Sequence, residues 1–126
     1  MKVEGPLEAD RLTAFGTEAV EMLCRGDIDA LATSYGYALS YGRDAVAAIR
    51  EDLGRCLSRV GATALAAAPP NPVRSVKYYE PRTGTPLAVV ECLAPTSGGA
   101  SLLVELVVTQ SGPETHVTLE DISVVA

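Results

Sequence analysis

Two strand-like runs in the last third of the chain, separated by a four-residue turn, constrain the fold more than any other feature. The runs cover residues 86–95 and 100–110, and the segment between them, Thr96-Ser97-Gly98-Gly99, has the glycine-rich composition of a hairpin turn. A hairpin centred on this turn places Glu91 opposite Glu105, because strand side chains alternate between the two faces of a sheet. The sequence therefore predicts two carboxylates facing each other on a surface otherwise rich in leucine and valine.

The same pattern extends over the whole C-terminal half. Strand-like runs cover residues 73–80, 86–95, 100–110 and 115–125. The turns between them contain Pro81 and Gly84, Gly98-Gly99, and Gly112-Pro113. Consecutive strands joined by short turns of this kind form an antiparallel meander.

Three amphipathic helices are expected before the strands. Apolar residues recur at helical spacing in residues 7–25, 28–35 and 44–60, and a glycine follows each segment. Asp27 and Asp44 stand where N-cap residues would lie. Residues 37–42 are compatible with either a connecting turn or a short strand. The chain is thus predicted to form a single α+β domain over residues 1–126, with helices packed on one face of a sheet of four or slightly more strands.

The composition indicates a soluble globular protein that binds neither nucleic acid nor membrane. Of its 126 residues 48% are hydrophobic and 21% are charged, which is enough apolar material for one packed core. The net charge of −6 disfavours binding to phosphate backbones. Nowhere are there 18 consecutive apolar residues, and the first residues lack the apolar segment of a signal peptide, so a cytoplasmic location is expected.

Cysteine and histidine usage argues against a disulfide framework, a metal site or a cofactor. Cys24, Cys56 and Cys92 are far apart, odd in number and set among apolar neighbours. We expect them to be buried and reduced. His116 is the only histidine, which is too few for a multi-histidine metal site and leaves little for a catalytic triad.

The predicted sheet is apolar on both faces. In the third run, one face carries Leu102, Val104, Leu106 and Val108. The other face still carries Leu103 and Val107 beside Glu105. Since helices can cover only one face, the other is expected to bind a second copy of the chain or another protein.

The two glutamates are the candidate catalytic residues. Two carboxylates in an apolar pocket share a proton, so Glu91 and Glu105 could act as an acid–base pair. Asp121, in the last run, is a third candidate. The other interpretation is a solvated face on which the acids are balanced by Lys77, Arg74 or Arg82.

Two N-terminal segments resemble the NTF2-like superfamily, the cone-shaped α+β fold of ketosteroid isomerases and SnoaL-type cyclases, which is also described as cystatin-like. Residues 19–31, AVEMLCRGDIDAL, resemble that family's first helix ending in Gly-Asp, followed by a short second helix. Residues 42–51, GRDAVAAIRE, resemble its G-x-x-A-I third helix. The C-terminal half is also similar to small bacterial domains of unknown function.

The chain departs from this family at the positions that catalyse isomerisation. Family isomerases use a tyrosine of the first helix as an oxyanion donor, and Ala19 stands at the matching position. They also carry an aspartate that acts as the catalytic base on a strand between the second and third helices, whereas residues 37–42 contain no carboxylate. The resemblance therefore implies the fold without the isomerase machinery.

The resemblance also suggests a ligand site. In an NTF2-like cone the mouth of the pocket lies before the third helix, where Tyr35, Tyr37 and Tyr41 occur together. These tyrosines and Asp121 are the candidate ligand-binding residues, and packing at the edge of the core is the other interpretation of the tyrosines.

Two functions follow from this reading. The first, which we favour, is a small binding or accessory protein, such as an immunity-type or regulatory module, that acts as a homodimer or with a protein partner. The second is a cofactor-independent isomerase, cyclase or hydrolase in which Glu91 and Glu105 are acid and base. In that case Tyr35 or Tyr37 orients the substrate. A small apolar ligand is a further candidate partner of the chain.

Overall fold

The amphipathic segments form helices and the alternating runs form strands in the computed structural model of the chain, which describes residues 1–82 and 85–125. The elements are β1 (Lys2–Val3), α1 (Ala9–Cys24), α2 (Ile28–Tyr35), α3 (Ala45–Arg59), β2 (Val73–Tyr78), β3 (Ala88–Pro95), β4 (Ser101–Ser111) and β5 (Glu114–Val124). Three helices thus pack against an antiparallel sheet, and the predicted α+β class is confirmed. The predicted turn residue Gly84 lies outside the described residues.

The sheet has five strands in the order β1-β5-β4-β3-β2. The last four form the predicted meander, while the fifth is the N-terminal pair Lys2–Val3, which adds to the free edge of β5 opposite His116 and Thr115. The Met1 ammonium group extends this pairing by donating a 2.8 Å hydrogen bond to the carbonyl of Val117. Two residues are too few for a readable alternation, so the sequence pattern did not predict this strand.

The helices cover one face of the sheet, which we call the inner face. Its fully buried residues are Ala88, Val90, Cys92, Ala94, Leu102, Val104, Leu106, Val108, Val117 and Leu119. Each buried valine or leucine side chain contributes about 1.5–3 kcal/mol through removal from water. This layer therefore contributes a large part of the hydrophobic core of the fold.

Helix α1 approaches the sheet closely at Gly16. A Cβ atom at this position would lie 2.8 Å from the Cys92 sulfur and 2.8 Å from a methyl group of Val73. It would also lie 3.0 Å from a methyl group of Val90. Only a residue without a side chain permits this contact, so Gly16 sets the distance between α1 and the strands β2 and β3.

The helix N-termini differ from each other in how they are capped. Asp44 caps α3, since its carboxylate accepts a 3.1 Å hydrogen bond from the backbone N–H of Ala47. Asp27 precedes α2 as predicted, but its side chain makes no capping hydrogen bond. Instead its carboxylate lies 3.8 Å from the guanidinium of Arg25. Asp27 is thus an N-cap by position only.

Residues 38–40 form a short 3₁₀ turn between α2 and α3, which resolves the two alternatives left by the sequence in favour of a turn. Tyr41 follows this turn with a backbone φ of +49°, in the left-handed region. Non-glycine residues rarely adopt this conformation, so the surrounding contacts must hold it.

Two β-bulges interrupt the ladders close to the predicted glutamate pair. One lies between Val73 and Ser75 in the β2–β3 pairing and leaves Arg74 as the extra residue. The other lies in the β4–β5 pairing, where Leu106 pairs with Leu119 and Glu105 with Asp121, so that Glu120 is the extra residue. Bulges increase the local twist of a sheet and redirect side chains. Here each of them adds one charged residue beside the glutamates.

The β3–β4 connection is the tight turn that the sequence predicts. The backbone N–H of Thr96 donates to the carbonyl of Ala100 at 2.8 Å, and the Thr96 hydroxyl donates to the same oxygen at 2.6 Å. Gly99 has a φ of +93°, which explains the glycine at that place.

Among the described residues, no helix is long and apolar enough to cross a membrane.

Candidate functional site

The face of the sheet opposite the helices, which we call the outer face, carries one row of four polar residues. Glu91 lies directly opposite Glu105, and the row continues to Asp121 on β5 and to Ser75 on β2. The predicted pairing of the two glutamates is confirmed. The row crosses four strands and is the most densely charged part of this face.

Glu91 is fully neutralised by its own chain. Its carboxylate lies 2.9 Å from the Arg74 guanidinium and 3.1 Å from the Lys77 ammonium, and it accepts a 2.8 Å hydrogen bond from the Ser75 hydroxyl. The hydrogen bonds from Ser75, Lys77 and Arg74 lower the pKa of Glu91 to about 2. Glu91 is therefore ionised near neutral pH, balanced by two of the three cations that the solvated interpretation named.

Glu105 has the opposite environment. None of the ion pairs or side-chain hydrogen bonds found in residues 1–82 and 85–125 includes its carboxylate. Burial raises the pKa of Glu105, and the negative charges of Glu91, Asp121 and Glu120 raise it further. Two carboxylates that face each other thus have pKa values pushed in opposite directions.

Asp121 connects this row with a second group of charged residues, which surrounds Asp52 on α3. Burial raises the pKa of Asp121, and the negative charge of Asp52 on α3 adds to the effect, against a hydrogen bond from the backbone of Ile122. Its own negative charge in turn acts on Glu105 and on Tyr37. Asp121 therefore belongs electrostatically to both clusters.

Apolar side chains flank the charged row on both sides. Leu93 pairs with Leu103 on one side of the Glu91–Glu105 pair, and Val89 pairs with Val107 on the other. Val107 is 9% exposed, and the other three are half-buried. The outer face thus has an apolar centre that encloses two glutamates, and no helix of residues 1–82 and 85–125 packs over it.

An open cleft of about 810 Å³ lies at the end of this face. The segment that connects β2 to β3 forms one wall with Arg82 and Pro86, and Thr109 and Gln110 of β4 form another part of the lining. Neither Glu91 nor Glu105 lines this cleft. The glutamates therefore face outward on the sheet and do not lie in this cavity.

The structure buries two of the three candidate tyrosines and exposes the third. Tyr35 is buried, and its hydroxyl donates to the Glu18 carboxylate at 2.8 Å. Tyr37 is buried too, whereas Tyr41 is 80% exposed. None of the three lines the cleft described above, and Tyr35 and Tyr37 are packed in the core.

A buried charged cluster around Asp52 was not predicted. Asp52 is 7% exposed, and its carboxylate accepts a 2.6 Å hydrogen bond from the Tyr37 hydroxyl. Arg43 and Arg55 lie 3.4 Å and 3.2 Å from its other oxygen. Burial acts to raise the pKa of Asp52, but the hydrogen bonds from Tyr37 and Arg43 and the charges of both arginines lower it below its usual value.

Arg43 links this cluster to the turn that carries Tyr41. Its guanidinium donates to the carbonyls of Leu39 at 2.6 Å and Ser40 at 2.9 Å, and it lies 2.9 Å from the Glu51 carboxylate. The cluster therefore fixes the 37–44 segment on α3. The sequence did contain a signal for it, because Asp52 stands three residues after Ile49 and four before Cys56, inside the apolar stripe of α3.

The cysteines and the histidine form no reactive centre. Cys56 and Cys92 are buried, Cys24 is half-buried, and all three are free thiols. Burial raises the pKa of Cys92 to about 12, and the charge of Glu91 adds to this, which suppresses the reactive thiolate. His116 lies 3.1 Å from the Glu114 carboxylate at the start of β5. Within the described part of the chain, no group of three or more histidine, cysteine, aspartate or glutamate side chains is arranged to hold a metal ion.

Comparison of the chain with family models, with curated proteins and with solved structures gives no match.

Proposed function

We propose that the chain is a small binding protein of NTF2-like type that acts as a homodimer through the outer face of its sheet. The apolar centre of that face carries the proposal. Val89, Leu93 and Leu103 are partly exposed although they belong to the middle strands, and none of the helices in the described part of the chain covers them. Exposed apolar surface in the centre of a sheet is typical of a protein interface.

The charges of the face also favour binding over catalysis. A general acid must hold a proton near neutral pH, and the pKa of Glu91 is about 2 because Ser75, Lys77 and Arg74 bind its carboxylate. Glu91 can therefore contribute a fixed charge to an interface but no proton. The NTF2-like assignment is supported by the order of three helices followed by an antiparallel meander.

Sedimentation velocity at micromolar concentrations tests the homodimer. We expect a species of about twice the chain mass of 13.1 kDa. Val89→Asp should shift it to the monomer, because a charge would be buried in the apolar centre of the interface. Ala14→Asp is the matched control, since Ala14 is exposed on α1, and this variant should sediment like the wild type. A wild-type chain that remains monomeric at about 100 μM, a concentration that should populate a dimer with an interface of modest size, would refute the proposal.

One observation favours the alternative of a cofactor-independent isomerase, cyclase or hydrolase. The pKa values of Glu91 and Glu105 are pushed apart, and this is the pattern by which acid and base roles are assigned to paired carboxylates. An NMR titration of the side-chain carboxyl carbons tests it directly. If Glu105 titrates at its ordinary value, no proton is held near working pH and the alternative fails.

A further inference from the structure

The charges of the outer face are divided between its two sides. On the β2 side, Arg74 and Lys77 share the single carboxylate of Glu91, so this side has one cation more than it has acids. On the β5 side, Glu105 and Asp121 stand in the same row, and no ion pair of the described residues includes either of them. One side of the face therefore lacks an anion and the other lacks cations.

Two sheets that pack face to face in a symmetric dimer have their two-fold axis between them. If the axis runs along the strands, the strand order is reversed across the interface, and β4 and β5 of one copy lie over β3 and β2 of the other. If the axis runs across the strands, each strand lies over its own counterpart, and the acidic side of one copy meets the acidic side of the other. Like charges in such contact oppose association, and opposite charges favour it.

We propose that a second copy of the chain binds the outer face with the two-fold axis parallel to the strands, so that Glu105 and Asp121 of each copy face Arg74 and Lys77 of the other. This inference rests on the homodimer proposed above. The axis then passes between β3 and β4, and the unpaired Glu105 carboxylate lies over the Arg74–Glu91–Lys77 group of the second copy. The second copy supplies the cations that Glu105 lacks within its own chain.

The dimensions of the face predict how strong the dimer is. Four strands about 4.8 Å apart and about seven residues long at about 3.3 Å each give a patch of roughly 19 by 23 Å. The area of this patch is smaller than the roughly 800 Å² of surface that each partner contributes to a standard interface. We therefore expect dissociation constants in the micromolar range and a dimer that weakens as salt is added.

Two charge-reversed variants test the arrangement. Lys77→Glu leaves Arg74 to hold Glu91, and Glu105→Lys places a cation beside Glu91 within the same chain, so both variants are expected to fold. In the proposed arrangement each variant alone puts like charges in contact twice, and its homodimer should be at least about tenfold weaker than that of the wild type, as expected for the loss of close charge pairs. An equimolar mixture should recover wild-type affinity, because one contact is then the native pair and the other is its exact reversal in sign. Sedimentation of a mixture with one fluorescently labelled variant measures this, and circular dichroism confirms that each variant is folded.

Each result decides between defined outcomes. A wild-type chain that is monomeric refutes the homodimer and this inference with it. If the wild type is a dimer and both variants dimerise equally well, the homodimer stands and the proposed arrangement is wrong. If Glu105→Lys binds the wild type more tightly than the wild type binds itself, the axis runs across the strands, because residue 105 of one copy then lies over residue 105 of the other. Should either reversal fail to fold, Lys77→Gln and Glu105→Gln replace them. Each should weaken the homodimer by a smaller factor, and mixing them should restore part of the affinity, because the mixed dimer re-forms one of the two native pairs. Unchanged affinity in both homodimers would refute the inference.

Discussion

The buried hydrogen bond between Tyr37 and Asp52 is expected to make a measurable contribution to the free energy of unfolding. Tyr37 is 6% exposed, and its hydroxyl is 2.6 Å from the Asp52 carboxylate. Tyr37→Phe removes only this hydroxyl and leaves no unpaired donor behind. The affected Asp52 oxygen then loses the partner shown for it, while the other oxygen keeps Arg43 and Arg55.

The expected loss of stability follows from the charge on the acceptor. A hydrogen bond to a charged group contributes about 1.5–3 kcal/mol, more than a neutral one. For a chain of this length the entropy of unfolding is about 0.26 kcal/mol per kelvin, so the loss corresponds to a fall in Tm of about 6–11 °C. Differential scanning calorimetry at pH 7, with urea unfolding as a second measurement, would determine it.

Tyr41→Phe is the matched control. Tyr41 carries the same hydroxyl but is 80% exposed, and we expect a change of no more than about 0.5 kcal/mol. The pH dependence provides a further check. The lowered pKa of Asp52 means that its contribution is present above the ordinary value of 3.8 and is lost as the pH falls through the folded-state value. The reasoning would be refuted by a Tyr37→Phe variant that is as stable as the Tyr41→Phe control at pH 7.

Further predictions concern the sheet and the close contact at α1. Glu91→Gln should destabilise the chain by about 1 kcal/mol at pH 7, because its ion pairs are partly solvated. Since the pKa of Glu91 is lowered to about 2, this destabilisation should be present above pH 4.5, the ordinary pKa of the group, and disappear as the pH falls through 2. An equal loss of stability at pH 7 and pH 2 would contradict the prediction. Glu105→Gln should stabilise the chain at pH 7 by roughly 0.2–1 kcal/mol, the cost of like charges opposite each other in a sheet. Because the pKa of Glu105 is raised in the folded chain, this penalty is present at pH values above the ordinary pKa of 4.5 and absent below it. A stability gain of Glu105→Gln that persists at pH 3 would therefore point to another cause. Gly16→Ala should cost about 1–3 kcal/mol through overpacking, whereas Gly54→Ala, with open space around its Cβ, should be neutral or slightly stabilising in chemical denaturation; equal effects would show that α1 can move away from the sheet. The thiol of Cys92 should react with a thiol reagent only after unfolding, and rapid labelling of the native chain would disagree with its burial.

The sequence predicted best those elements that are specified locally. The hairpin of β3 and β4 follows from alternation and a glycine-containing turn, and for that reason the pairing of Glu91 with Glu105 was correct. The three helices were also predicted within a few residues of their ends. In both cases the signal lies within about ten consecutive residues, where side-chain periodicity is readable.

Features that depend on distant parts of the chain were missed or left open. The bulge at Arg74 has no local signal, yet it helps to place a guanidinium on Glu91 and so decides its protonation. The grouping of Tyr37 with Asp52 requires α3 to fold back on the segment before it, which spacing alone does not predict. Asp27 has the residue type of a cap, but the geometry of its turn brings its carboxylate towards Arg25 instead.

The two bulges have a consequence for the size of any assembly that the chain forms. A flat sheet with regular ladders can be stacked without end, as in fibrils, because every layer offers the next one an identical surface. Arg74 and Glu120 each interrupt one ladder, and bulges of this kind increase the local twist, so the face is not a flat and regular one. Helices cover the inner face, so a second copy bound to the outer face turns its own helices outward and offers no further sheet face to another copy. If the proposed homodimer forms, self-association through this face is expected to end after one partner, without growth into a filament.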